Sequence, residues 1–203
     1  MKKLLLATLF GLLLFSCDDV NDSDISDKGA PEVYDSAVAS YKSGKYAEAL
    51  ADFKKATENP GKGYSLGAYL GRGFSNLKVY QGAEDKAAVL ADAKFSFNRA
   101  LKIENDNENA LFGEILIFGY EGGKLETIAA HAEKILKDNS FSHSLESGVS
   151  AKHVMYELGR AQLDAGKFED ALATLKKIDS AVTLSATDYV KIAQKYQEIA
   201  GTL

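Results

Sequence analysis

Gly44-Lys45-Tyr46-Ala47-Glu48-Ala49-Leu50 and Gly166-Lys167-Phe168-Glu169-Asp170-Ala171-Leu172 are one seven-residue pattern written twice in the chain. Each opens on a glycine, which ends a helix at no steric cost in the left-handed backbone, and continues with an aromatic ring and good helix formers. The surroundings read the same way. From Pro31 onward the only other proline is Pro60, tryptophan is absent, and Ala, Leu, Lys, Glu and Tyr recur at helical spacing. This predicts an all-α chain, and a turn-and-helix unit that recurs points to stacked helix pairs.

At these two segments the sequence resembles the tetratricopeptide repeat, in which two helices per unit of about 34 residues cross at small side chains. In the first unit Ala37 holds the small position of helix A, Gly44 turns the chain, Tyr46 follows, and Ala49, Phe53 and Ala56 line helix B before Pro60. In the last, Leu158-Gly159 open the pattern, Gly166 and Phe168 form the turn, and Ala171, Leu175 and Ile178 line helix B. Small residues at the crossings let helix axes approach, and the aromatics fill the wedge left behind.

Two degenerate units lie between. Leu70-Gly71 with Phe74 mark one helix A, and Ala93, Phe97 and Ala100 its helix B. Gly71 and Ala100 stand 29 positions apart, whereas Ala37 and Ala56, or Gly159 and Ile178, stand 19 apart. The ten extra residues fall around Tyr80-Gln81-Gly82-Ala83-Glu84-Asp85-Lys86 and read as an enlarged turn. The next unit has Gly113 at the small position of an apolar helix from Ala110 to Tyr120, a turn at Gly122-Gly123, and a helix B from Leu125 to Leu136. The Ser-rich stretch from Asn139 to Ser144 reads as a loop. Leu184 to Ala200 reads as an amphipathic final helix opened by Ser185 with Asp188 three on, an N-cap pattern. The resemblance therefore implies a right-handed α-α superhelix of about four helix pairs plus a C-terminal capping helix, over residues 31–203. The cap gives the stack the polar lid that such arrays require.

The amino-terminal residues carry a second motif. Met1-Lys2-Lys3 is a basic start and Leu4 to Phe15 an apolar run of 12 residues, short of the roughly 20 that span hydrocarbon as a helix. This is the layout of a signal peptide over residues 1–16. Leu14-Phe15-Ser16-Cys17 resembles the lipobox of bacterial lipoproteins, although Phe15 is bulkier than the side chain usual there. The resemblance implies diacylglycerol on the Cys17 thiol and cleavage before it, and two or three acyl chains hold a protein stably on a membrane. A plain secretory leader is the alternative. Residues 17–30, with Asp18, Asp19, Asp22, Asp24 and Asp27, read as a self-repelling tether. The expected location is the bacterial cell envelope, lipid-anchored, with the outer membrane favoured over the inner and the leaflet left open.

Composition narrows the functional classes. Loss of Lys2 and Lys3 with the leader takes the formal charge from -5 to -7, and the remaining bases alternate with acids, unlike a phosphate-tracking surface. No nucleic-acid partner is expected. Cys17 is the sole cysteine, and His131, His143 and His153 stand at no ligand-pair spacing, so no metal is expected. No nucleophile elbow, phosphate loop or dinucleotide pattern occurs, so neither an enzyme nor a cofactor is expected. Glu48 and Asp52 share a helix face with nearby lysines and read as solvated.

What remains is binding. In the resembled family helix A lines a concave groove, and carrying its inward positions over gives Tyr34, Val38, Tyr41 and Lys42, then Arg72 and Asn76. Glu114, Ile117 and Phe118 follow, and then His153, Tyr156, Arg160 and Asp164. The partner-binding residues expected from this set are Tyr34, Tyr41, Lys42, Arg72, Asn76, Glu114, Tyr156 and Arg160, a mixture suited to an extended peptide or a partner helix. The chaperone-binding carboxylate clamp needs Lys and Asn where Tyr34 and Val38 stand. The expected function is a membrane-anchored scaffold for a protein or peptide partner. The alternative is a ligand-capturing lipoprotein of an uptake system, with an enclosed apolar pocket near residues 79–90 as its cue.

Overall fold

The structure, a computed structural model, describes residues 30–58, 63–137 and 140–203. The leader, Cys17, the tether up to Gly29, Pro60 and Asn139 lie outside the described residues. Among the described residues eight helices form four pairs: α1 (Ala30–Lys42) with α2 (Tyr46–Glu58), α3 (Ser65–Val79) with α4 (Lys86–Ile103), α5 (Glu108–Glu121) with α6 (Leu125–Ile135), and α7 (Ala151–Asp164) with α8 (Phe168–Ile178). A ninth, α9 (Tyr189–Ala200), packs on α7 and α8. Each helix contacts its successor, and the odd-numbered helices also contact one another, so they form one face of the stack. This is the all-helical superhelix that the repeats imply.

The turns and crossings follow from the residues that suggested them. Gly44 and Gly166 take φ of 75° and 71°, and the amide after each reaches back to a carbonyl near the end of its helix: Lys45 to Ser40 at 2.9 Å, Lys167 to Gln162 at 2.8 Å. Phe53 of α2 lies where a side chain on Gly71 of α3 would be, and Phe97 of α4 does the same to Gly113 of α5. Both rings are fully buried, each worth about 2 to 3 kcal/mol of apolar transfer. Gly73 also faces Phe97, so one ring fills the space between α3 and α5. At the other end Tyr196 of α9 lies over Gly159 and donates its hydroxyl proton to the Ala171 carbonyl at 2.8 Å.

Three boundaries differ from expectation. The ten extra residues of the second pair are not all turn. A short 3-10 turn, Tyr80–Gly82, occupies part of the connection, while α3 and α4 grow to 15 and 18 residues against 13 each in the first pair. Apolar side chains at helical spacing, Leu77 on α3 and Leu90 on α4, extend both helices past the polar centre. The final helix starts at Tyr189 instead of Leu184. Ser185 and Asp188 do pair, at 3.0 Å from amide and 2.8 Å from hydroxyl, but they close a turn ahead of the helix. The Ser-rich loop runs on to Ser150, and it is not a solvated linker.

Candidate functional site

Phe141-Ser142-His143-Ser144-Leu145 alternates in two-residue period, and the structure buries Phe141, His143 and Leu145 while Ser142 and Ser144 face solvent. An extended segment with one buried face has this signature. An antiparallel bridge between Ser142 and Ser150, and the His143 amide on the Val149 carbonyl at 3.1 Å, fold the segment back on itself. Its contacts fall on the odd-numbered helices. The His143 ring lies 4.1 Å from that of Phe74 on α3 and 6.2 Å from that of Phe112 on α5, and Phe141 packs on Phe112 at 5.3 Å. Asn109 accepts from the Ser144 amide at 2.8 Å. Glu146 then receives the Tyr41 hydroxyl from α1 and the Lys78 ammonium from α3, the latter at 2.9 Å. The loop thus crosses the inner face from the third pair back to the first.

Electrostatics fix it there. His143 Nδ1 accepts from the amides of Leu145 and Glu146, each at 3.1 Å, so the ring is held neutral. Burial, with the nearby Lys78 charge, pushes its pKa down to about 4 despite the opposing pull of Glu146. Burial alone would raise Glu146. The Tyr41 hydrogen bond and the Lys78 ammonium outweigh it and hold the carboxyl below its ordinary value.

Beside the loop a cavity of about 390 Å³ opens between α3, α5, α7 and the end of α9. Phe74, Phe112 and Leu116 supply much of its apolar lining, with Tyr120, Tyr156 and Glu157 beside them. Tyr120 stacks at 4.5 Å on Tyr80 of the 3-10 turn, which links the cavity to the lengthened second pair. His153 ties the start of α7 to the last residue: Nδ1 accepts from the Ser150 amide at 3.2 Å and Nε2 donates to the Leu203 carbonyl oxygen at 3.1 Å. Glu157 meets Arg160 at 3.2 Å, yet burial prevails and raises its carboxyl above the usual value. On the far side of Tyr156, a second cleft of about 560 Å³ separates α7 from α9, and its rim exposes Phe168, Tyr189 and Val190.

The residues expected in the groove separate into several places. Tyr41 is buried under Glu146, and Tyr156 fronts both hollows, with Arg160 in the second. Lys42 is exposed. Tyr34 packs between Phe53 and Tyr64, at 5.9 and 5.3 Å between ring centres. Arg72 and Asn76 bond between helices. Arg72 bonds Asp92 of α4 and the Thr57 hydroxyl at 3.1 Å, and Asn76 reaches the same carboxylate at 2.8 Å. Glu114 meets His131 of α6 at 2.8 Å. Arg72, Asn76 and Glu114 are thus engaged in bonds between helices, while Phe74, Lys78 and Phe112 are the side chains of α3 and α5 that meet the loop.

Comparison with known proteins agrees with the architecture. A crystal structure of a thermophilic tetratricopeptide-repeat protein from Thermus thermophilus superposes with a TM-score of 0.58. The chain has a tetratricopeptide-repeat fold. Sequence identity between the two is 19%, and the likeness covers 83% of this chain and 81% of the other. No protein-family description matches the sequence, and no curated protein matches it.

Proposed function

We propose that the chain is a lipid-anchored scaffold of the bacterial cell envelope that holds a protein or peptide partner. The repeat fold supports a binding role in general, though fold likeness alone names no partner. The observation that carries the reading is the cleft between α7 and α9. The loop covers the inner face as far as α5, whereas here Phe168 and Tyr189, 5.4 Å apart between rings, stand exposed next to Tyr156 and Arg160. Exposed aromatics grouped with an arginine are the side chains that anchor interfaces. The Leu14-to-Cys17 motif supports the lipid anchor and the envelope location, with the outer membrane favoured.

The test combines clickable palmitate labelling of wild type and Cys17→Ala with a photo-crosslinker at Tyr189. Cys17-dependent label in the membrane fraction and a discrete adduct weakened by Phe168→Ala support the reading. Label independent of Cys17 removes the anchor, and crosslinks without a discrete product remove the partner.

A second reading, capture of a small ligand for an uptake system, is favoured by the cavity beside the loop. It differs from the enclosed pocket expected near residues 79–90: it is partly open, none of those residues lines it, and only the contact of Tyr80 with Tyr120 connects it to that segment, so the reading rests on its apolar and aromatic lining. The two readings use different hollows, which share Tyr156.

A further inference from the structure

Two carboxylates and one ammonium line the 390 Å³ cavity, so its lining leans acidic, and this selects among ligands. Three ionisable acid or lysine side chains reach its lining: Lys78, Glu146 and Glu157. Lys78 and Glu146 neutralise each other at 2.9 Å, and Glu146 also holds the Tyr41 hydroxyl. Lys78 Nζ lies in addition over the Tyr46 ring at 5.7 Å, outside the cavity. His143 is held neutral, and both His143 and His153 use Nδ1 as an acceptor for backbone amides. Glu157 is the one lining carboxylate whose ion-pair partner, Arg160 at 3.2 Å, lies outside the lining. Its partner Arg160 borders the neighbouring hollows and not this one, and the Arg160 guanidinium lies 5.8 Å above the Tyr156 ring. A carboxylate that is mostly withdrawn from water, with open space on one side, is stabilised by a cation placed in that space.

The walls favour the same sign. Tyr120 and Tyr156 line the cavity with Phe74 and Phe112, and aromatic faces attract cations through their quadrupole. Leu116 and Val149 complete the apolar lining. We propose that this cavity binds an amphipathic organic cation, an ammonium group on an aromatic or aliphatic body, with the ammonium on Glu157 and Tyr120 and the body against Phe74, Phe112 and Leu116. The proposal rests on the second reading, that the cavity is a small-ligand site, and adds the chemical class.

The test uses the full chain in detergent micelles, titrated with phenethylammonium and followed by the amide resonances of Tyr120 and Glu157. Two neutral or anionic relatives of similar size, 2-phenylethanol and 3-phenylpropionate, serve as comparison, and thermal melts confirm that each variant folds. Phenethylammonium is expected to bind saturably and more tightly than either relative. Glu157→Gln is expected to weaken it about tenfold and Tyr120→Leu, at a half-exposed ring, about threefold. If the alcohol binds as well as the ammonium, or the carboxylate binds best through Lys78, the cation assignment falls while the cavity remains a ligand site. If none of the three binds, the small-ligand reading falls with it.

Discussion

The Tyr41 hydroxyl donates a hydrogen bond to the Glu146 carboxylate, joining residues 105 positions apart and fastening the 140–150 loop to the first helix pair. Tyr41 is 2% exposed, so the bond forms where water competes little. Removal of the hydroxyl alone, in Tyr41→Phe, leaves Glu146 with Lys78. We expect a loss of about 1 to 2 kcal/mol, read by urea unfolding, and faster amide exchange at Leu145 and Glu146 than at α3.

Acid should loosen the same loop. His143 titrates near 4 in the folded chain and near its ordinary value when unfolded, so between those limits the unfolded state takes up the extra proton. Its contribution is therefore complete above the ordinary value and falls as pH drops toward 4. The depressed Glu146 carboxyl works in the same direction at lower pH, and Lys78 and His153 are the other ionisable groups that face the ring. We expect a loss of up to about 3 kcal/mol over that window, with the drop clearly smaller in His143→Gln. Equal pH profiles for the two proteins would refute the assignment.

Gly159→Ala places a methyl group into the Tyr196 ring, and Gly113→Ala one into Phe97. Both rings are buried with no room to retreat, so each change should cost about 1 to 3 kcal/mol in thermal melts. The consequences differ in place. Gly159→Ala should raise exchange in α9, and Gly113→Ala in α4 and α5.

Arg72→Ala should be more costly than a surface charge deletion. Asp92 keeps Asn76 and Lys54 but loses the guanidinium that, with them, overcomes burial and holds its carboxyl low. The expected loss is about 2 kcal/mol at neutral pH, shrinking as pH falls through the carboxylate range because the stabilisation exists only while Asp92 is ionised. Chemical denaturation at two pH values checks it.

The repeats were legible because each carries its own reason: a glycine where the backbone turns left-handed, and a small residue where a ring from the neighbouring helix must fit. Gly44, Gly71, Gly113, Gly159 and Gly166 all do what their spacing implies. The inner face was less legible. Helical periodicity fixes which side of α3 is buried, but Arg72 and Phe74 both lie on buried flanks, and only the position of Asp92 on α4 decides which one meets the loop. The loop was hidden by composition. Five serines among residues 140–150 suggest solvent, and the alternation of Phe141, His143 and Leu145 that contradicts it is five residues long. Glu157 gave no signal, because its burial beside the cavity comes from the packing of other helices around α7.

Arrays of helix pairs that touch only their neighbours can fray from either end, since each unit answers only to the next. The strap from α7's start to α1 breaks that rule here. Detaching the first pair leaves Glu146, at the threshold of the fourth, without Tyr41, and detaching the fourth withdraws the loop from the first. The chain is in effect a closed circuit instead of a row, so melting should be one concerted event, and tension on its ends must shear the strap before it can peel a repeat.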